Sequence, residues 1–229
     1  MKNAFLTFCF WVIALKIMAQ GGGSPQSSIE GTWQIIDAKT LASESYTGTI
    51  QFSKRSLAYA LQWGGGAGNS KGIGIQKGNK IFAGWSSEVP CGIVVYDIRG
   101  KTMDGQWALM SGDWGVGTEI VSNITDNLVG TFDITGTNPI TKKAADIPAQ
   151  YRGKLTIEKN GETYTCTWKT GNTSYSGVGM KDGNYFAVAW GLEEGAFGII
   201  CYTFNGNQAN GKWFPVGART FAYENLAKK

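Results

Sequence analysis

Histidine does not occur anywhere in the 229 residues. That absence removes the commonest general base, the Ser-His-Asp and Cys-His arrangements, and most zinc sites. Charge is also scarce. Acidic and basic residues make up 17% of the chain, against about a quarter in ordinary soluble domains. The formal charge is only +4, and no Lys/Arg cluster is interleaved with aromatics, so nucleic acid is not an expected partner. "TKKAAD", from Thr141, reads as a solvated loop. The glycine-rich "WGGGAGNSKG", from Trp63, lacks the Lys-Ser/Thr ending and following helix of a phosphate cradle. It reads as a hairpin loop, and no cofactor and no metal site are implied. Cysteine is limited to four residues.

Long apolar runs are missing except at the start. "MKNAFLTFCFWVIALKIMAQ" has a basic residue, an apolar stretch and a small-residue ending at Ala19, the pattern of a signal peptide over residues 1–19. The apolar run falls short of the ~20 residues a membrane span needs, so no integral span is expected in the mature chain. A secreted or periplasmic location follows, with residues 20–28 as a flexible tether. Removing Lys2 and Lys16 leaves 19 basic and 17 acidic residues, a formal +2. Cys9 leaves with the leader. Cys91, Cys166 and Cys201 remain, an odd number. Cys166 and Cys201 fall in the same half and are the one pair a disulfide could join within a module. Their counterparts, Leu61 and Val95, suggest buried apolar positions instead.

What is present in abundance is repetition. "GTWQII" at Gly31 returns as "GTFDIT" at Gly130. "YTGTIQFSKRSLAYALQW" meets "YRGKLTIEKNGETYTCTW", "GIGIQKGNKIFAGW" meets "GVGMKDGNYFAVAW", and "CGIVVYDIRGKTMDGQW" meets "FGIICYTFNGNQANGKW". Near the end Glu119 matches Glu224. The ordered recurrence of glycine and tryptophan marks a duplication, with modules at 29–121 and 126–229. The second copy carries an insertion, "TNPITKKAADIPAQ", that reads as a surface loop.

Each copy divides into about eight short β segments rich in Val, Ile, Thr, Tyr and Trp, joined by Gly/Asn turns. In "YTCTW", Tyr164, Cys166 and Trp168 share one face and the two threonines the other. No segment holds a helical period over ten residues. Sequential hairpins imply a meander, and closing it removes its exposed edges. The expected fold is all-β: a tandem duplication of a small antiparallel up-and-down barrel of about eight strands. A β-sandwich is the alternative, and one larger barrel shared by both copies is also compatible with the period.

The "GTW" at Gly31–Trp33 resembles the opening of calycin-type barrels, the lipocalins, fatty-acid-binding proteins and avidins. That resemblance implies that Trp33, and Phe132 in the second copy, close one barrel end. It carries no ligand residues to this chain. The repeated "Y-x-G-x-(L/I)…W…G-(I/V)-G…GN…W" resembles modules in exported bacterial proteins of no known activity.

The aromatics carry the functional expectation. Trp63, Trp85, Trp107, Trp168, Trp190 and Trp213 recur near strand ends, and Tyr96 and Tyr202 within strands. Large rings there can line a cavity mouth and stack on an apolar or sugar-like ligand, or they can simply fill the core. No catalytic residue is expected: Glu88 meets Glu193 or Glu194, Asp97 meets Thr203 and Asp113 meets Arg219, which yields no paired carboxylates. The leading reading is an exported non-catalytic binding protein for a small apolar or carbohydrate ligand. The alternatives are a structural or adhesive protein with filled barrels, for which no protein partner can be named, and a confinement-type isomerase or cyclase. The last would need a shielded acid beside an open cavity. An outer-membrane barrel would need longer strands than several of these.

Overall fold

The computed structural model describes residues 28–87, 90–111, 115–139, 150–191 and 197–229. The expected leader and most of the tether, the loop acids Glu88, Asp113, Glu193 and Glu194, and residues 140–149 of the insertion lie outside them.

Sixteen strands form among the described residues, eight from each copy. The first copy supplies β1 (Gly31–Lys39), β2 (Gly48–Arg55), β3 (Ala58–Gly64), β4 (Lys71–Lys77), β5 (Lys80–Ser86), β6 (Gly92–Arg99), β7 (Thr102–Leu109) and β8 (Gly117–Ser122). The second supplies β9 (Gly130–Thr137), β10 (Gln150–Asn160), β11 (Thr163–Thr170), β12 (Thr173–Asp182), β13 (Tyr185–Gly191), β14 (Phe197–Asn205), β15 (Gln208–Pro215) and β16 (Ala222–Lys228). A single 3-10 turn, Gly65–Ala67, is the only helical element among the described residues. The period-2 reading of "YTCTW" holds: Tyr164, Cys166 and Trp168 are buried, and Thr165 and Thr167 are exposed.

The strands close into two antiparallel eight-stranded barrels. Their composition does not follow the repeat boundary. One barrel runs β6-β7-β8-β9-β10-β11-β12-β13 and returns to β6, so it is built from the middle of the chain. The other joins β1 to β5 with β14 to β16, the two ends of the chain. We call them the central and terminal barrels. The expected division into modules at 29–121 and 126–229 therefore describes the sequence repeat and not the closed sheets. Val188 of β13 pairs with Val94 of β6, and Ile200 of β14 pairs with Ala83 of β5. Each copy gives five strands to one barrel and three to the other, an exchange of equivalent elements of the kind seen in domain swapping.

A further core explains why the exchanged barrels stay together. Ile73, Phe82 and Ile199 point out of the terminal barrel, and Ile93, Val95 and Ala189 point out of the central one. All belong to a single buried cluster that also holds Cys91 and Cys201. Strands β4, β5, β6, β13 and β14 are thus buried on both faces and read as continuous apolar runs, whereas β8 alternates strictly. Two ion pairs bridge the same seam. Lys77 Nζ lies 2.7 Å from Asp97, and Lys80 Nζ 2.6 Å from Asp182. The exchange also separates Cys166, inside the central barrel, from Cys201, on the terminal barrel. All three described cysteines are free and buried, the small-hydrophobe role anticipated from Leu61 and Val95. Burial pushes the Cys91 and Cys201 thiols up to about 12.

Candidate functional site

Inside each barrel the repeated glycines and rings answer one another across neighbouring strands. A Cβ on Gly105 would lie 2.6 Å from the Tyr96 ring, and one on Gly211 would lie 2.7 Å from the Tyr202 ring. Such distances leave no room for a side chain, so the glycines are seats on which inward-pointing rings lie flat against the next strand. Gly117 seats Trp107, Gly92 seats Trp190 and Gly198 seats Trp85 in the same way. Their closest contacts show that these strand glycines admit large rings.

One end of each barrel is solid. In the terminal barrel Trp33 is fully buried, donates its indole N–H to the Ile29 carbonyl at 2.8 Å and packs edge-on against Phe204 at 5.2 Å. Phe132 is buried in the corresponding core of the central barrel.

Above each floor sits a glutamate that strand alternation turns inward. In β8, Gly117, Glu119 and Val121 face in while Thr118 and Ile120 face out. Glu119 accepts hydrogen bonds from the Tyr96 hydroxyl, the Trp168 indole at 3.0 Å and the Tyr151 hydroxyl at 3.0 Å. Glu224 of β16 repeats the arrangement with the Tyr202 hydroxyl, the Trp63 indole at 3.3 Å and the Tyr46 hydroxyl at 2.8 Å. Each cluster draws on both copies: Glu119 and Tyr96 belong to the first, Tyr151 and Trp168 to the second. The strand exchange therefore carries through to the site.

Burial raises both glutamates above the usual carboxylate range, and the three donors offset this only in part. Burial and the adjacent carboxylate push the four tyrosines up as well, so they stay neutral hydroxyls. No Lys or Arg forms an ion pair with either glutamate among the described residues.

Over each glutamate lies a cavity. The central one, about 250 Å³, is walled by Trp107, Tyr151, Trp168, Tyr175 and Trp190, with Glu119 below. The terminal one, about 370 Å³, is walled by Tyr46, Trp63, Trp85 and Trp213, with Glu224 below. Rings meet edge to face around both: Tyr175 and Trp190 at 5.4 Å, and Trp85 and Trp213 at 5.8 Å. The Trp107 and Trp213 indole nitrogens are covered and have no hydrogen-bond acceptor. Each lies beside a tyrosine oxygen, near enough to favour its phenolate, without bonding to it.

Six of the eight residues expected from sequence line these cavities: Trp63, Trp85 and Trp213 in one, and Trp107, Trp168 and Trp190 in the other. Tyr96 and Tyr202 line neither. They are fully buried beneath the glutamates and hold them in place. The sequence reading missed Glu119, Glu224, Tyr46 and Tyr151. The signal was available: each recurs in both copies, and a charged residue occupies the inward position of an alternating strand.

Comparison with protein-family models, with curated proteins and with solved structures finds no match to this chain. The cavities must be interpreted from their own chemistry.

Proposed function

We propose that the protein is an exported, non-catalytic small-molecule-binding protein with one ligand site in each barrel. Its leader would direct it to the periplasm or beyond, and the calycin-like opening at Gly31–Trp33 fits a barrel that holds a ligand. The observation that carries the reading is the pairing of a packed floor with an open, ring-walled cavity in both barrels. Filled barrels of a purely structural protein would leave no such space. The walls suit a ligand with apolar faces, a sugar ring included, that stacks on indoles.

A second reading draws on one specific observation. A carboxyl raised by burial beside a cavity is the shielded acid that a confinement-type isomerase or cyclase would need.

Tryptophan fluorescence titrated with apolar probes and with maltose tests the binding reading, because Trp63, Trp85, Trp107, Trp168, Trp190 and Trp213 all lie in cavity walls. Saturable quenching or a spectral shift that is reduced in Trp190→Leu and in Trp85→Leu is expected. A spectrum unmoved by the whole panel would count against the proposal.

A further inference from the structure

The hydrogen-bond inventory of the two cavities narrows the ligand. The Tyr46 and Tyr151 hydroxyls direct their hydrogens to carboxylate oxygens, and so do the Trp63 and Trp168 indoles. A tyrosine hydroxyl has one hydrogen and an indole has one. What Tyr46, Tyr151 and the glutamates can still offer is oxygen lone pairs. Two further indole donors, on Trp107 and Trp213, are covered by neighbouring atoms; the linings also hold the Trp190 and Trp85 indoles, the Tyr175 hydroxyl and the Asn138 amide, all neutral groups. Among the described residues neither lining includes a Lys or Arg. The ring faces that complete the walls carry the negative lobes of their quadrupoles. The hydrogens directed at each glutamate come from neutral groups and supply no countercharge.

From this geometry we infer that both cavities are sites for a small organic ammonium cation, seated among the rings with its charge over Glu119 or Glu224. The inference rests on the binding reading above and specifies the charge of the ligand. Desolvated ammonium groups bind aromatic faces through the ring quadrupole, and indole is the strongest of them. A buried carboxylate with no Lys or Arg partner among the described residues gives such a ligand a charge partner; an alkane would leave it unused, and a sugar hydroxyl would meet it only as a neutral donor. Glu44, at the mouth of the terminal cavity, adds a second carboxylate there.

The test uses the full mature chain, with choline and its uncharged isostere 3,3-dimethylbutan-1-ol as probes and maltose as a third ligand. Calorimetry and tryptophan fluorescence are the readouts. Choline is expected to bind at two sites per chain, at least tenfold more tightly than the isostere. Glu119→Gln and Glu224→Gln should each abolish one of the two sites. The comparison of choline with its isostere on the unaltered chain needs no variant, so a variant that fails to fold does not block it. Equal affinity for the two, or preference for maltose, overturns the ammonium inference and leaves the binding reading standing. Failure of all three to bind overturns both.

Discussion

The central and terminal barrels are built from equivalent strands but are connected differently. The central barrel is one continuous stretch, β6 to β13. The terminal barrel closes only when β1 to β5 meet β14 to β16, the far end of the chain. Their sites share the same three partners around each glutamate, two tyrosines and a tryptophan, and differ at the rim. Where the central cavity has Tyr175, the terminal cavity has Ser70, and it also takes in Glu44. The duplication has kept the buried hydrogen-bonded core of the site and varied its mouth. A buried carboxylate that loses a donor is left with an unmet charge, whereas a wall residue can change without leaving a polar group orphaned.

The largest contrast should come from the floors. Trp33 is fully buried and hydrogen-bonded, whereas Phe132 keeps a small exposure and has no polar handle. Trp33→Ala should cost about 4–5 kcal/mol and Phe132→Ala nearer about 3 kcal/mol, read from urea unfolding midpoints. An equal or reversed order would break the distinction between the two floors.

The glycine seats should instead behave alike. Gly105→Ala and Gly211→Ala each drive a methyl into a tyrosine ring at less than 3 Å, and each should cost about 1–3 kcal/mol through overpacking. A pair of neutral substitutions, scored by the same unfolding curves, would show that the rings do not need these seats.

Both glutamates should also leave a trace in the pH dependence of stability. Each has a folded-state pKa above its unfolded value, because burial outweighs the hydrogen bonds from Tyr96, Tyr151 and Trp168, or from Tyr202, Tyr46 and Trp63. Between those two values the native state holds a proton that the unfolded chain has released. Stability is therefore greatest below the ordinary carboxylate range and declines as pH rises through the folded value. Glu119→Gln and Glu224→Gln should each remove part of that decline in denaturation curves taken across acidic to neutral pH. An unchanged slope in both variants would contradict the burial of these groups.

The smallest effect concerns one turn. Gly161 has φ of 65° at the β10–β11 hairpin, and Ser56 holds nearly the same value, 57°, at the equivalent β2–β3 hairpin. Side chains resist that left-handed region, at about 1–2 kcal/mol. Ser56→Gly should raise the thermal midpoint slightly, by no more than about 1 kcal/mol of stability. A loss of stability would mean that the serine side chain contributes something the turn requires.

The duplication, the strand count and barrel closure could all be anticipated, because alternation and turn chemistry are local properties. The exchange of strands could not. β5 can pair with β6 or with β14, and "GIVVY" and "GIICY" present nearly the same faces to it. Local pattern is indifferent between those partners. Ile73, Phe82, Ile93 and Ile199 form a joint core between the barrels that holds the exchanged pair together. A trace of it was present in the sequence. The runs "GIGI", "IFAG" and "YFAVA" are apolar on both faces, more than a barrel with one wet side requires. At the site, the tryptophans were legible from their recurrence near strand ends. Glu119 and Glu224 were noted only as a marker of the repeat, with Glu88, Asp97 and Asp113 weighed as paired carboxylates instead; here each glutamate works alone among hydroxyls and indoles.

Cross-strand backbone NOEs in the isotopically labelled chain test the exchange most directly. The account expects contacts between Val94 and Val188 and between Ala83 and Ile200, in antiparallel register. An antiparallel pattern joining β5 to β6 and β13 to β14 would show that each copy closes on itself and would contradict the shared construction of both sites.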